Sequence, residues 1–264
     1  MDLSIIIVNY RSRSYLVQCL KSIERHLNKN SFAEKFEVIL VNNDKQSLSL
    51  EENFNFPVKI IEQKINQGFG ASNNIGAKKA TGDYLFFLNP DTLLLDSGLW
   101  KMLEYAKEKR LGAIGPKIIL AEENRPQPWT CGKKTDLWKI LFKNTLNKPW
   151  NKKEITPVDW LSGTALLLEK VSFKKVGGFD EKFFMYFEDQ DLCLRLKKLG
   201  KKNIFYPFCR IIHFDGKSWK EKKEKKASFY TSQNYFFSKH NPKWQLFALR
   251  QVKRLKKTFQ ENIQ

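Results

Sequence analysis

The sequence predicts an α/β fold built on a largely parallel sheet. Short apolar runs alternate with stretches of helical periodicity across the first 120 residues, and strands separated by helices make βαβ units. The run YLFFL (84–88) is apolar throughout, as a strand covered on both faces must be. Polar or glycine-rich clusters stand after these strands, where an open α/β sheet receives ligands.

Taken in order, Ser4–Val8 is the first expected strand. Ser14–Leu27 follows as a helix, with Leu16, Cys19, Leu20, Ile23 and Leu27 on one stripe. Strands are expected at Phe36–Val41, Val58–Ile61 and Tyr84–Leu88, and helices at Ala71–Ala80 and Leu99–Lys107. Residues 121–157 carry Pro126, Pro128, Pro149 and Pro157 among many Lys and Asn, and read as a long, partly mobile connection. Order returns at Val158. WLSGTALLLEK reads as a strand, and Lys170–Val176 as a short helix stopped by Gly177-Gly178. Asp189–Leu199 reads as a helix with Leu192, Cys193, Leu196 and Leu199 inward and Gly200 as its stop. Tyr206–His213 is a last strand. No internal repeat is visible.

The chain has 264 residues, 42% hydrophobic and 14% aromatic, so it can bury a sizeable core. No signal peptide and no membrane span are read from it. Cys19, Cys131, Cys193 and Cys209 lie far apart without a CxxC pair, which fits a reducing cytoplasm better than a zinc knuckle or disulfide scaffold. Lys and Arg number 47 against 28 Asp and Glu, a net charge of +19. Such a charge suits a polyanion, a phosphate-rich substrate or an anionic lipid layer. Residues 216–264 hold 13 Lys or Arg and 3 Glu, so more than half of the surplus sits in the last fifth of the chain.

Several clusters invite a chemical reading. NQGFGASNN (66–74) brings glycines and amides together but lacks the P-loop spacing. Asn42-Asn43-Asp44 follows the second strand, and Asn89-Pro90-Asp91-Thr92 follows YLFFL. Each could be no more than a turn. Glu188, Asp189 and Asp191 crowd behind Phe183, Phe184, Tyr186 and Phe187, and could simply favour a helix N-terminus. His213 ends an apolar strand, where most histidines are structural.

Taken together, SIIIVNY, NQGFGASNN, GDYLFFLNPDT, WLSGTALLLEK, GGFDEKFFMYFEDQDLCLRLKKLG and HFDGKS resemble the inverting family 2 glycosyltransferases of the GT-A fold, in particular the rhamnosyltransferase-like branch. The resemblance runs from residue 4 to about His213. It implies a GT-A (Rossmann-like), mostly parallel central sheet flanked by helices, with a basic helical C-terminal extension. Residues 1–215 would form the transferase domain, with 1–120 its nucleotide-sugar half and 121–215 its acceptor half. Residues 216–264 would be the extension.

What the resemblance implies for the site is specific. NPDT stands where relatives carry Asp-x-Asp, so Asp91 would hold a divalent cation, Mn²⁺ or Mg²⁺, with His213 completing the shell. Asn89 replaces the first aspartate. Asn9, Asn42, Asp44, Gly68, Asn74, Lys78, Asp83 and Asn89 would meet the nucleotide-diphosphate sugar donor, with Asn42 where an aspartate is usual. Trp160, Ser162, Gly163 and Thr164 would wall the acceptor, a saccharide or lipid-linked saccharide. Asp189 would be the general base and Glu188 its neighbour in the acceptor site.

Intact Asp91, Asp189 and His213 argue against a catalytically silent partner subunit, and two other functions compete with transfer. A nucleotidyltransferase would release pyrophosphate and has no need of the EDQD segment. A nucleic-acid-binding protein would explain +19, yet no recognition motif is present and no nucleic acid partner is expected. Within the tail, Trp244, Phe247, Ala248, Val252, Leu255 and Phe259 fall at helical spacing among Lys243, Arg250, Lys253, Arg254, Lys256 and Lys257. Residues 240–264 are therefore expected either to lie on an anionic membrane surface or to pack on the domain. The enzyme would be cytoplasmic, at the inner face of the cell membrane.

Overall fold

A computed structural model of the chain describes residues 1–27, 35–142, 151–214 and 222–261, the side chains of 222–223 and 255–261 excepted. The strands are β1 (Leu3–Asn9), β2 (Phe36–Asn42), β3 (Val58–Glu62), β4 (Tyr84–Leu88), β5 (Thr92–Leu94), β6 (Ala113–Leu120), β7 (Cys131–Gly132), β8 (Thr156–Val158), β9 (Trp160–Leu161), β10 (Ala165–Glu169) and β11 (Asn203–His213). The main sheet has the order β3-β2-β1-β4-β10-β6-β11-β5, with β8 beside β11. β3, β2, β1, β4, β6 and β11 share one direction. β10, β5 and β8 run against it.

Strand alternation divides the core into two layers. Ile5, Ile7, Val38, Leu40, Phe86 and Leu88 face α1 (Arg13–Leu27) and α3 (Gly98–Lys109). Ile6, Ile39, Val41, Leu85 and Phe87 face the other way, towards α2 (Phe69–Lys79) and α6 (Glu188–Lys198). β1, β2 and β4 are covered on both sides, so their apolar runs are continuous.

The structure departs from the sequence reading at three places. WLSGTALLLEK is two strands, β9 and β10, broken at 162–164, where the Ser162 and Thr164 hydroxyls bond each other at 2.9 Å. β9 pairs with β7 in a separate ribbon. The described part of the 121–157 stretch holds β7, the helix α4 (Leu137–Leu141) and the start of β8, elements the sequence reading did not expect there. Asp136 caps α4 by accepting from Lys139 N at 2.9 Å. Residues 143–150, with Pro149, lie outside the described residues.

β6 was not anticipated, although it sits between β10 and β11 in mid-sheet. Its Gly115-Pro116 reads as a breaker. The proline is tolerated because β11 shifts register there: Tyr206 pairs with Pro116, and the next pair is Arg210 with Lys117.

The tail is two helices, α7 (Lys222–His240) and α8 (Lys243–Glu261), parted at Asn241-Pro242. Phe236, Phe237 and Leu249 pack with Leu137, Phe183, Phe187 and Leu194 in a third apolar cluster. The short α5 (Lys170–Lys175) follows β10. No described helix is long and apolar enough to cross a membrane.

Candidate active site

The parallel strands deliver Asn9, Asn42 and Asn89 to one edge of the sheet. Register places Asn9 beside Asn42, and Ile7 beside Leu88, the residue before Asn89. Asn9 Nδ2 donates to Asn42 Oδ1 at 2.9 Å and to Asp44 Oδ2 at 3.3 Å. Asn42 spends its own Nδ2 on Glu62 Oε2 at 2.7 Å and Gln46 O at 2.8 Å. It is fully buried, so its amide holds the strand ends together. Asn9 Oδ1, also buried, has no hydrogen-bond partner.

Gly68 opens α2 at the same edge with φ 88°. A Cβ there would stand 2.2 Å from Phe184 O, the oxygen that accepts from Phe69 N at 2.9 Å. Only glycine allows this approach. Asn74 turns inward, accepting from Phe179 N and donating to Phe179 O and Glu181 Oε1, each at 2.9 Å. Its amide is committed to the 179–181 loop.

Asp91 and His213 meet because β5 runs against β11, with Thr92 opposite His213. Both are buried at 4% exposure, and His213 Nε2 lies 3.3 Å from Asp91 Oδ1. Gln127 Oε1 accepts from His213 Nδ1 at 2.8 Å. With Gln127 taking the Nδ1 side, Nε2 is the ring nitrogen that faces the carboxylate. A carboxylate oxygen and a ring nitrogen facing each other are ligand types that a divalent cation accepts, with Gln127 orienting the histidine from behind. Among the described residues no group of three or more His, Cys, Asp or Glu gathers. Mg²⁺ or Mn²⁺ keeps positions for phosphate oxygens and water, so such a cation could accept few protein ligands.

The 162–164 turn ties this pair to the acidic helix. Asn89 N donates to Thr164 O at 2.9 Å, and Ser162 N to Thr130 O at 2.7 Å. Gly163 N donates to Asp189 Oδ2 at 2.9 Å, while Gln190 N reaches Asp189 Oδ1 at 2.7 Å. Burial raises the Asp189 carboxyl above the ordinary aspartate range, against these two bonds. Glu188 is raised well above its ordinary value by burial, and then by the Asp189 charge. Its Oε2 has no partner. Tyr186 and Phe187 precede it at φ 72° and 70°, a left-handed pair of bulky residues. Such strain persists where packing over-determines it, and Phe187 is wedged against Phe229 and Phe236 of α7.

Three expected site residues do not join the group. Asp83 precedes β4 and is exposed at the opposite edge, about 20 Å from Asn89 along the strand at ~3.3 Å per residue. Lys78 is exposed in the last turn of α2, about 15 Å from Gly68 along the helix. Trp160 is buried in the core beneath the turn, its indole N–H donating to Lys133 O at 3.0 Å. It supports Ser162–Thr164 rather than forming an open wall.

Sequence reasoning missed other participants. Gln127, behind His213, stands in a proline-rich stretch without periodicity. Asn66 Oδ1 accepts from Gly68 N at 2.9 Å and Asn43 Nδ2 at 3.2 Å, joining the glycine loop to β2. Asp191 is fully buried and gathers Arg195, Lys239 and His240, the last with Nε2 2.7 Å from Oδ1. Burial pushes its pKa up, yet these partners outweigh burial and hold it at about 2. The partners lie 4, 48 and 49 positions away, and only the first is visible as helical spacing.

Comparison with known proteins agrees with this architecture. Residues 4–167 match the sequence profile of Glycosyl transferase family 2. The chain is 30% identical over 225 residues to the rhamnosyltransferase WbbL of Escherichia coli (strain K12), covering 80% of this chain and 82% of that one. It is 30% identical over 143 residues to an N-acetylglucosaminyl-diphospho-decaprenol L-rhamnosyltransferase of Mycobacterium tuberculosis, 50% of this chain and 47% of that protein. The fold also resembles the crystal structure of GalNAc-T7 with UDP, GalNAc and Mn²⁺, at a TM-score of 0.65 and 18% identity, covering 81% of this chain and 44% of that one. The central, mostly parallel sheet flanked by helices is that of the GT-A glycosyltransferases. With the profile spanning more than half of the chain, this enzyme belongs to glycosyl transferase family 2 and uses a nucleotide sugar.

Proposed function

We propose that the enzyme transfers a hexose or deoxyhexose, rhamnose being the leading candidate, from a nucleotide-diphosphate sugar to a hydroxyl of a cell-surface polysaccharide or lipid-linked saccharide, with inversion. The names of the Escherichia coli and mycobacterial relatives support rhamnose, and the second supports a lipid-linked acceptor. The observation that carries the chemistry is that Gly163 ties Asp189 to the 162–164 turn, which Asn89 links in turn to the strand end before the Asp91–His213 pair.

Asp91 Oδ1 and His213 Nε2 would hold a Mg²⁺ or Mn²⁺, which offsets charge on the leaving diphosphate. Asn9, Asp44 and the Gly68 loop lie on the donor side of this pair. Asp189 takes the acceptor hydroxyl's proton as its oxygen bonds to the anomeric carbon and the bond to the diphosphate breaks. Each oxygen of Asp189 accepts one backbone N–H and keeps a lone pair for that proton. One in-line displacement needs no carboxylate nucleophile. The location proposed for the reaction is the inner face of the cell membrane, which a lipid-linked acceptor would suit.

A thermal-shift screen of nucleoside-diphosphate sugars with and without Mn²⁺ or Mg²⁺ tests the reading. A ligand at 100 times its Kd adds roughly 2.7 kcal/mol. A metal-independent response, or a product retaining the donor's anomeric configuration, contradicts it.

A further inference from the structure

The apolar stripe expected on α8 is divided. Ala248 packs in the third cluster beside Leu246 and the buried Leu249, whereas Trp244 and Phe247 are 56% and 64% exposed. At ~100° per residue, Trp244 and Phe247 lie on the side of α8 opposite Leu249. The helix therefore has its core contact satisfied and still carries a second apolar face. Leu255 and Phe259, which were expected to continue the stripe, have side chains outside the described residues.

A second helix adds to this face. Leu137 anchors α4 in the same cluster, while Trp138, Leu141 and Phe142 are 55%, 38% and 52% exposed. The Trp138 and Phe142 rings stack 6.2 Å apart at 14°. Leu137 N donates to Gln245 Oε1 at 3.2 Å, so Trp138 and Trp244 each stand next to a residue of that bond. Asn241 Nδ2, donating to Thr135 O at 3.2 Å, fixes the same corner. Two helices far apart in sequence thus touch through Leu137 and Gln245, and each presents large apolar side chains to solvent.

The charge around them is mostly positive. Between Pro242 and Gln260 there are six Lys or Arg and no Asp or Glu. Lys243, Arg250 and Arg254 are exposed, on the flank of α8 beside Trp244 and Phe247. The carboxylate within α4's own turn, Asp136, is half-buried and spent on the cap. Exposed Trp and Phe ringed by cations fit a lipid interface, where rings enter the headgroup layer and cations meet anionic headgroups.

We infer that α4 and α8 together form a docking platform for an anionic lipid bilayer, with Trp138, Phe142, Trp244 and Phe247 as the inserting side chains. The platform is built from packing and charge and is independent of the transfer reading. It is not a spanning anchor, since its helices are held to the domain by Leu137, Leu246 and Leu249.

The test is co-sedimentation of the full chain with vesicles of phosphatidylcholine alone and of phosphatidylcholine mixed with phosphatidylglycerol, without donor or acceptor. Binding is expected to the anionic vesicles and to fall steeply with salt. The variant Trp138→Ala/Phe142→Ala/Trp244→Ala/Phe247→Ala should lose about tenfold or more in vesicle affinity. Lys243→Gln/Arg250→Gln/Arg254→Gln should lose the preference for anionic vesicles. Both should keep the wild-type circular dichroism and melting temperature, because the altered side chains face solvent. Equal binding to both vesicle types, or wild-type affinity in the aromatic variant, overturns the platform. So does a concentration-dependent dimer abolished by the aromatic variant, which would assign the face to a second copy, or a single-stranded RNA oligonucleotide competing for it. Donor-induced thermal shifts read the transfer site separately, so either reading can fail alone.

Discussion

Gly163 donates its backbone N–H to Asp189 Oδ2 at 2.9 Å, which fixes the carboxylate from the 162–164 turn rather than from its own helix alone. Asp189→Asn keeps the shape and removes basicity. Turnover should fall by roughly a hundredfold or more, while donor affinity barely changes. Steady-state kinetics with nucleotide titration check both, and near-normal turnover would remove Asp189 as the base.

The Asp91–His213 pair predicts a metal-linked loss. Asp91→Ala should abolish Mn²⁺-dependent donor binding with the melting temperature held near wild type. His213→Ala should raise the metal concentration needed for half-maximal binding. Gln127→Leu leaves the histidine but frees Nδ1, and losing the partner behind a ligating histidine costs ~10–100-fold in metal affinity. Isothermal titration with Mn²⁺ and nucleoside diphosphate orders the three, and a His213→Ala enzyme with normal metal affinity would make the histidine structural.

Burial raises both Glu188 and Asp189, so the acid limb of kcat/KM should lie above the ordinary carboxylate range of about 4. The two share one environment, and the apparent value belongs to the pair. The sign for stability is the reverse of a salt bridge. A carboxyl raised in the fold opposes folding once the unfolded chain ionises, above about pH 4.3 for glutamate. Glu188→Gln should therefore melt higher than wild type at neutral pH while losing activity. A lower melting temperature at pH 7 would contradict this.

Asp191 behaves oppositely. Its depressed value means that it stabilises the fold above the ordinary aspartate pKa of about 3.9, and that this is lost as pH falls towards about 2. Asp191→Asn strands Arg195, Lys239 and His240 around a neutral amide, and breaking a buried pair costs about 3–5 kcal/mol. Denaturant melts should show that loss, with turnover per folded molecule close to wild type.

Gly68→Ala should destabilise by more than a simple turn substitution. The new Cβ meets Phe184 O, a backbone atom, at a backbone φ of 88°. Strain at such a position is on the order of 1–3 kcal/mol, and the displaced 184 loop leads into Tyr186-Phe187 and the acidic helix. Both the melting temperature and kcat should fall; an unchanged kcat would uncouple the loop from Asp189.

Much of this was legible in the sequence. The two-sided burial of β1, β2 and β4 follows from their apolar runs, and the α1 stripe from its 3.6-residue period. Asn9, Asn42, Asn89 and Asp91 reach one edge because parallel strands must end together. Motif resemblance supplied the family, and the matching profile bears it out. The roles given to Asp189, Asp91 and His213 remain proposals tied to the tests above.

Other features depended on contacts between distant segments, which no local pattern encodes. Lys78 and Asp83 lie close in sequence to the glycine loop and NPDT, yet a helix and a strand carry them to the far edge. Pro116 sits mid-sheet because β11 breaks register opposite it. Gln127 reaches His213 across 86 positions, and His240 reaches Asp191 across 49. Periodicity in α8 found an apolar stripe but not its direction, because a helix with two apolar faces has no sequence signal for which one meets the core. The packing of Leu249 against Phe236, Phe237 and Leu137 decided that, and turned Trp244 and Phe247 to the outside.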